Sequence, residues 1–257
     1  MNWIDSHAHL NDAAFENDLE RVIDTAFESG VKAVLVPGFD LASSIKAVEL
    51  AAKYKIIWAA VGVHPHDARM WDRAQANEIA QLLVEPKVVA VGEIGLDYHY
   101  NYSTKEEQFK AFSEQLHLAK EYDKPIIVHN REAHQDIWET LNREKVDAAG
   151  GVMHCFSGSR EMALRFLNLG LYISFAGPLT FANAVKLRDA AAAVPPEKLL
   201  VETDSPYLAP HPLRGRRNEP ANVKLVGAKL AELKNMACEE VMELTSANAQ
   251  RLFGITV

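Results

Sequence analysis

Cysteine is scarce in this chain. Cys155 and Cys238 are the only two, too few for a disulfide framework and in keeping with a reducing compartment. No run approaches the ~18 consecutive apolar residues of a membrane-spanning helix, and the opening residues carry neither a charged leader nor a signal-peptide core. Cytoplasm is the expected location, and no membrane is an expected partner. Excess positive charge is missing too. A formal net charge of -8 argues against general attraction to nucleic acid or anionic lipid, so a polyanionic substrate needs positive charge supplied locally, by metal ions or a basic loop. Linkers, low-complexity tracts and long repeats are absent. Residues 1–257 therefore read as one domain, with no obligate protein partner evident.

What is present is a large apolar fraction, 48% against 24% charged residues, the balance of a soluble globular protein. Short, β-branched, nearly continuous apolar runs predict strands at 3–5, 33–38, 56–62, 88–92, 125–128, 151–153, 171–176 and 199–202. Such runs are what strands covered on both faces should show. Between them lie helical patterns at 17–29, 41–54, 72–84, 105–122, 133–145, 160–169 and 182–193, followed by a closing pair at 221–235 and 238–252. Phe109, Phe112, Leu116 and Ala119 mark the buried stripe of the fourth. Eight strand–helix units in about 250 residues match a (β/α)8 TIM-type barrel with an extra C-terminal helix. A doubly wound open sheet is the rival, weakened because no glycine-rich phosphate fingerprint follows the first strand.

In a barrel all C-terminal strand ends meet on one face. The first delivers His7 and His9, which share a side by the period-two rule. The third delivers His64 and His66 around Pro65, the fourth Glu93 and Asp97, the fifth His129-Asn130-Arg131, the sixth His154-Cys155, and the eighth Glu202 and Asp204. Any one of these alone reads as a satisfied core histidine or a capping carboxylate. Six strand ends of this kind point to metal. His7 and His9 with a carboxylate make one site, and His129 with His154 make a second. Glu93, with two oxygens, can bridge them. Asp204 can bind an ion and orient or deprotonate the attacking water. Two ions ~3.5–4 Å apart stabilise both oxygens of a hydrolytic displacement and lower the pKa of bound water toward ~7. Nitrogen and oxygen donors without thiolate suit Mg, Mn, Zn or iron without choosing among them.

Seven motifs carry a resemblance: Asp5-Ser-His-Ala-His-Leu10, Gly62-Val-His-Pro-His66, Gly92-Glu-Ile-Gly-Leu-Asp-Tyr98, Val128-His-Asn-Arg131, His154-Cys-Phe-Ser-Gly158, Glu202-Thr-Asp-Ser-Pro-Tyr-Leu208 and Arg214-Gly-Arg-Arg-Asn-Glu-Pro220. Spanning nearly the whole chain, they resemble those of the TatD-type metal-dependent deoxyribonucleases, a branch of the amidohydrolase-like barrels. The resemblance implies two divalent cations held by His7, His9, Glu93, His129, His154 and Asp204. It also implies hydrolysis of DNA phosphodiesters, commonly on single strands from the 3′ end. The family often has serine at the position of Asn130 and lysine at that of Arg216, departures that leave the expected ligands untouched.

Substrate contacts are expected from Arg214, Arg216 and Arg217, clustered after the eighth strand, since arginine forks match phosphate oxygens. Arg131 is a second candidate for the scissile phosphate. His64 and His66 either touch substrate or form a structured turn. Tyr98, Tyr100 and Tyr102 either stack nucleobases or pack locally. Glu202, on the face of Asp204, is a candidate to hold a ligand in place. Cys155 is expected to be a small core residue. His99, His117 and His134 carry no assignment. The alternative function is a binuclear amidase, lactonase or deaminase acting on a small molecule. Many barrels of that kind bridge their metals with a modified lysine on strand four, and none lies between Ala90 and Asp97.

Overall fold

Eight parallel strands follow one another around a single sheet in chain order: β1 (Trp3–Asp5), β2 (Val31–Pro37), β3 (Ile57–Val61), β4 (Val88–Asp97), β5 (Ile126–Arg131), β6 (Gly151–Met153), β7 (Tyr172–Phe175) and β8 (Leu199–Val201). They come from a computed structural model that describes residues 2–100, 102–146 and 150–257. The helices between them are α1 (Leu19–Glu28), α2 (Leu41–Lys53), α3 (Arg73–Leu82), α4 (Lys105–Glu121), α5 (His134–Glu144), α6 (Arg160–Leu167), α7 (Val185–Ala193), α8 (Val223–Lys234) and α9 (Cys238–Phe253). Among the described residues no helix is long and apolar enough to cross a membrane.

The sheet curls until its last strand meets its first. Beyond the ends of β1 and β8, Ser6 N–H donates to the Val201 carbonyl at 3.2 Å, Asp204 N–H to His7 at 2.9 Å, and His9 N–H to Ser205 at 2.7 Å. This makes the (β/α)8 barrel. One apolar cluster collects Ile4, Leu35, Ala60, Ala90, Ile127, Val152, Tyr172 and Leu200, one residue from each strand, which only a shared lumen permits. Phe253 and Ile255, at and just beyond the end of α9, join it beside residues near the strands' starts, so the extra helix covers the end opposite the strand exits. A second, larger cluster lies between the strands and the helices. There α8 approaches β1 so closely that a Cβ on Gly227 would lie 2.2 Å from the Trp3 ring.

The alternating apolar pattern placed every strand and helix. It ended β4 five residues early. The ladder with β5 slips between Val91 and Ile94 and then resumes, pairing Ile94 with Val128 and running on to Asp97 and Arg131. Glycine and acidic residues are poor strand formers, which is why Gly92-Glu93-Ile94-Gly95 reads as a strand's end. Tertiary pairing overrides that preference. Gly95, at φ +149°, lies so close to β5 that a Cβ would fall 2.0 Å from the His129 carbonyl oxygen.

Candidate metal centre

The C-terminal rim of the barrel carries a buried knot of imidazoles and carboxylates. After β1 the chain stays against its neighbours through Ala8 N–H to the Leu35 carbonyl and His9 N–H to that of Ser205. His7 and His9 therefore turn the same way, with their Nε2 atoms 3.1 Å apart. Asp204 Oδ1 lies 3.7 Å from His7 Nε2 and 3.4 Å from His9 Nε2. Its backbone, at φ +55°, occupies the left-handed region that asparagine and aspartate tolerate best.

Glu93 lies among them, and its two oxygens face different partners. Oε2 is 3.4 Å from His7 Nε2 and 3.6 Å from His9 Nε2. Oε1 is 2.7 Å from His129 Nδ1, 2.8 Å from His154 Nε2 and 3.5 Å from His64 Nε2. The structure thus brings together all six residues singled out as ligands, with Glu93 between the two histidine groups.

Two of the imidazoles have a carboxylate at each ring nitrogen, and a neutral ring can donate to only one of them. His154 Nδ1 lies 3.2 Å from Glu202 Oε1, an acceptor that also takes the Cys155 N–H at 2.7 Å. His129 Nε2 lies 3.0 Å from Asp97 Oδ2. A neutral ring that gives its N–H to the outer carboxylate turns a lone pair toward the lone pairs of Glu93. Acceptor facing acceptor at under 3 Å is repulsive unless a proton or a cation lies between. Protonated rings would satisfy that condition. Burial disfavours the imidazolium forms, but Asp97 and Glu93 raise the pKa of His129, and Glu93 and Glu202 raise that of His154 well above normal. Burial also opposes a charged Glu93, yet the surrounding imidazoles hold its pKa well below the ordinary carboxylate range.

A divalent cation would replace those protons. Ligand atoms of His7, His9 and Asp204 all lie within 4.8 Å of one another, as do those of His64, Glu93 and His129, and those of His7, His154 and Glu202. The Nδ1 atoms of His7 and His9 are buried without a partner. This donor set, all nitrogen and oxygen, fits magnesium, manganese or zinc.

His64 differs from its neighbours. Its Nδ1 accepts the His66 N–H at 3.1 Å, capping a 3-10 turn over Pro65–Met70. That places its proton on Nε2, 3.5 Å from Glu93 Oε1. With burial and the nearby His129 holding its pKa down at about 3, it stays neutral. It is part of a structured turn, and its ring faces the central carboxylate.

The expected substrate residues are scattered around this centre. His66 Nε2 bonds Asp97 Oδ2 at 2.9 Å. Arg131, Arg214 and Arg216 are exposed. Arg131 sits over the Tyr100 ring at 5.4 Å and Arg214 over Phe181 at 4.3 Å. Arg217 is engaged within the chain, donating to Asp18 at 2.7 and 2.9 Å, to Glu219 at 2.8 Å and to the Ala14 carbonyl at 2.6 Å. The three loop arginines therefore do not act as one cluster. Cys155 is half-buried, at φ +41°. His99 and His117 pair at the surface with Glu132 and Glu144.

Two residues had no role in the sequence reading. Asp97 joins His66 to His129, and its even spacing from Glu93 on a continuing strand was the available signal. Asp5 accepts the Thr203 N–H and hydroxyl, tying the exit of β1 to that of β8. Burial pushes its pKa up to about 8.

A family model described as "TatD related DNase" matches residues 4–254. The metal-dependent hydrolase YabD of Bacillus subtilis is 46% identical over 98% of both chains. The 3′-5′ ssDNA/RNA exonuclease TatD of Escherichia coli K12 is 37% identical, again over 98% of each. Among solved structures, the TatD homologue YJJV of Escherichia coli K12 superposes with a TM-score of 0.94 at 35% identity, covering 99% of this chain and 98% of that one.

Proposed function

The chain belongs to the TatD-related DNase family, and from that premise we propose that it is a metal-dependent nuclease that trims single-stranded DNA from its 3′ end with two divalent cations. The observation that carries the proposal is the Glu93 carboxylate, one oxygen toward His7 and His9 and the other toward His129 and His154. His7, His9 and Asp204 would hold one ion, His129 and His154 the other, with Glu93 between. Ions bound there would stabilise the charge on attacking and leaving oxygens and make water acidic enough to attack at neutral pH.

The chain's own groups do the rest. Burial works against a charged Asp204, but its bond to His9 and the neighbouring imidazoles hold its pKa down. It therefore stays a carboxylate, and its position beside His7 and His9 suits it to orient a water or take its proton. Asp97 and Glu202 keep the lone pairs of His129 and His154 aimed inward. Arg131, Arg214 and Arg216, exposed on the same face in an acidic protein, supply the positive charge a DNA backbone requires. Residues 1–257 act as one domain in this reading, in a cytoplasm that keeps Cys155 and Cys238 as free thiols.

The test is incubation of metal-reconstituted protein with 3′- and 5′-end-labelled single-stranded DNA over a range of salt. Stepwise loss of the 3′ label is expected. Three arginine–phosphate contacts should weaken binding with a log–log salt slope of about -2. Intact DNA together with salt-insensitive turnover of a small amide or lactone would instead establish the alternative chemistry.

A further inference from the structure

We propose that Tyr100 and Tyr102 form a nucleobase ledge beside the metal centre, taking the base of a nucleotide that neighbours the scissile phosphate. The inference rests on the nuclease reading above and specifies one of its substrate contacts. The two rings are stacked within 3° of parallel, their centroids 5.6 Å apart. They are 40% and 58% exposed, leaving aromatic surface in water. Tyr98 is used differently, its hydroxyl donating to Asp136 and its ring lying under the Lys105 ammonium at 3.8 Å.

Position ties the ledge to the chemistry. The His66 ring meets Tyr100 and Tyr102 edge-on, at 5.3 and 4.9 Å. His66 shares Asp97 Oδ2 with His129, whose other nitrogen faces Glu93. The second oxygen of Asp97 accepts the N–H groups of His99 and Tyr100, both at 2.9 Å, which pins the start of the loop. One carboxylate thus fixes both the ledge and a metal-facing imidazole. Arg131, over the Tyr100 ring, places a phosphate-binding fork beside the aromatic face. A base on the ledge and its phosphate at Arg131 form a nucleotide-sized footprint. Stacking tolerates any base, because each has a π face.

The test uses the full-length, metal-loaded protein and 3′-labelled single-stranded DNA carrying one abasic position, moved stepwise from the 3′ end. For wild type, one position near the cleaved bond should raise KM roughly ten- to hundred-fold when its base is missing. The Y100A/Y102A variant should show that raised KM on normal DNA and no further loss on the abasic strand. The Y100F/Y102F variant should behave as wild type, since only the rings are required. Metal content and Tm are read alongside and should not move. A wild-type KM indifferent to every abasic position overturns the ledge. So does a Y100A/Y102A variant that still responds to the abasic position as wild type does. In both cases cleavage of normal DNA leaves the nuclease reading standing. Failure of wild type to cleave DNA at all removes both.

Discussion

Asp5 holds Thr203 through both carboxylate oxygens, Oδ1 accepting its N–H at 2.9 Å and Oδ2 its hydroxyl at 2.6 Å. The two residues are 198 apart in sequence; Asp5 stands two residues before His7 and Thr203 one before Asp204. This contact sets one side of the proposed metal centre against the other. Both residues are fully buried, so no water can replace a lost partner. In Asp5→Ala the Thr203 N–H loses its acceptor, at a cost of about 1–3 kcal/mol, while the hydroxyl keeps Ser205 Oγ at 3.0 Å. Thermal denaturation should show the lower Tm, and titration with manganese a weaker affinity. An unchanged Tm would remove the clamp from this account.

Asp97 Oδ2 lies 3.0 Å from His129 Nε2. If it keeps that ring's lone pair aimed at Glu93, Asp97→Asn should weaken metal binding about 10- to 100-fold while the fold persists. Far-UV circular dichroism checks the fold, and isothermal titration with divalent cation checks the affinity. Wild-type affinity in this variant would show that His129 needs no such support.

Arg217 and Arg21 both reach Asp18 and Glu219, fastening the segment after β8 to the start of α1. The bonds from Arg217 and Arg21 hold Asp18 well below the usual carboxylate range, and the same arginines lower Glu219 against its partial burial. A depressed folded-state pKa contributes stability that is present above the unfolded value of about 4 and lost as pH falls through the folded one. The Tm gap between wild type and Asp18→Asn should therefore be largest near neutral pH, close in acid, and shrink with added salt. A gap that widens in acid would contradict the assignment.

Most of the barrel was legible because two-sided burial writes strands as plain apolar runs, and Val34-Leu35-Val36 or Ile126-Ile127-Val128 admit little else. The extension of β4 was hidden for a physical reason: Gly92 and Gly95 are there to let strands approach, and local preference cannot see the partner. His7 and His9 were readable from parity alone. Asp97 was not, because its meaning depends on His66 and His129, which arrive from two other strand exits. Nor could the arginine run reveal that Arg217 turns back to Asp18, a residue 199 positions away, while Arg214 and Arg216 stay exposed.

The central claim is that one carboxylate, Glu93, separates and joins two cations. Metal analysis of the protein after reconstitution and removal of excess cation tests it most directly, with Glu93→Ala measured in parallel. Two equivalents per wild-type chain are predicted. One or none is predicted in the variant, along with loss of nearly all hydrolysis and a fold unchanged by circular dichroism. A variant that retains two equivalents and full activity would contradict the account.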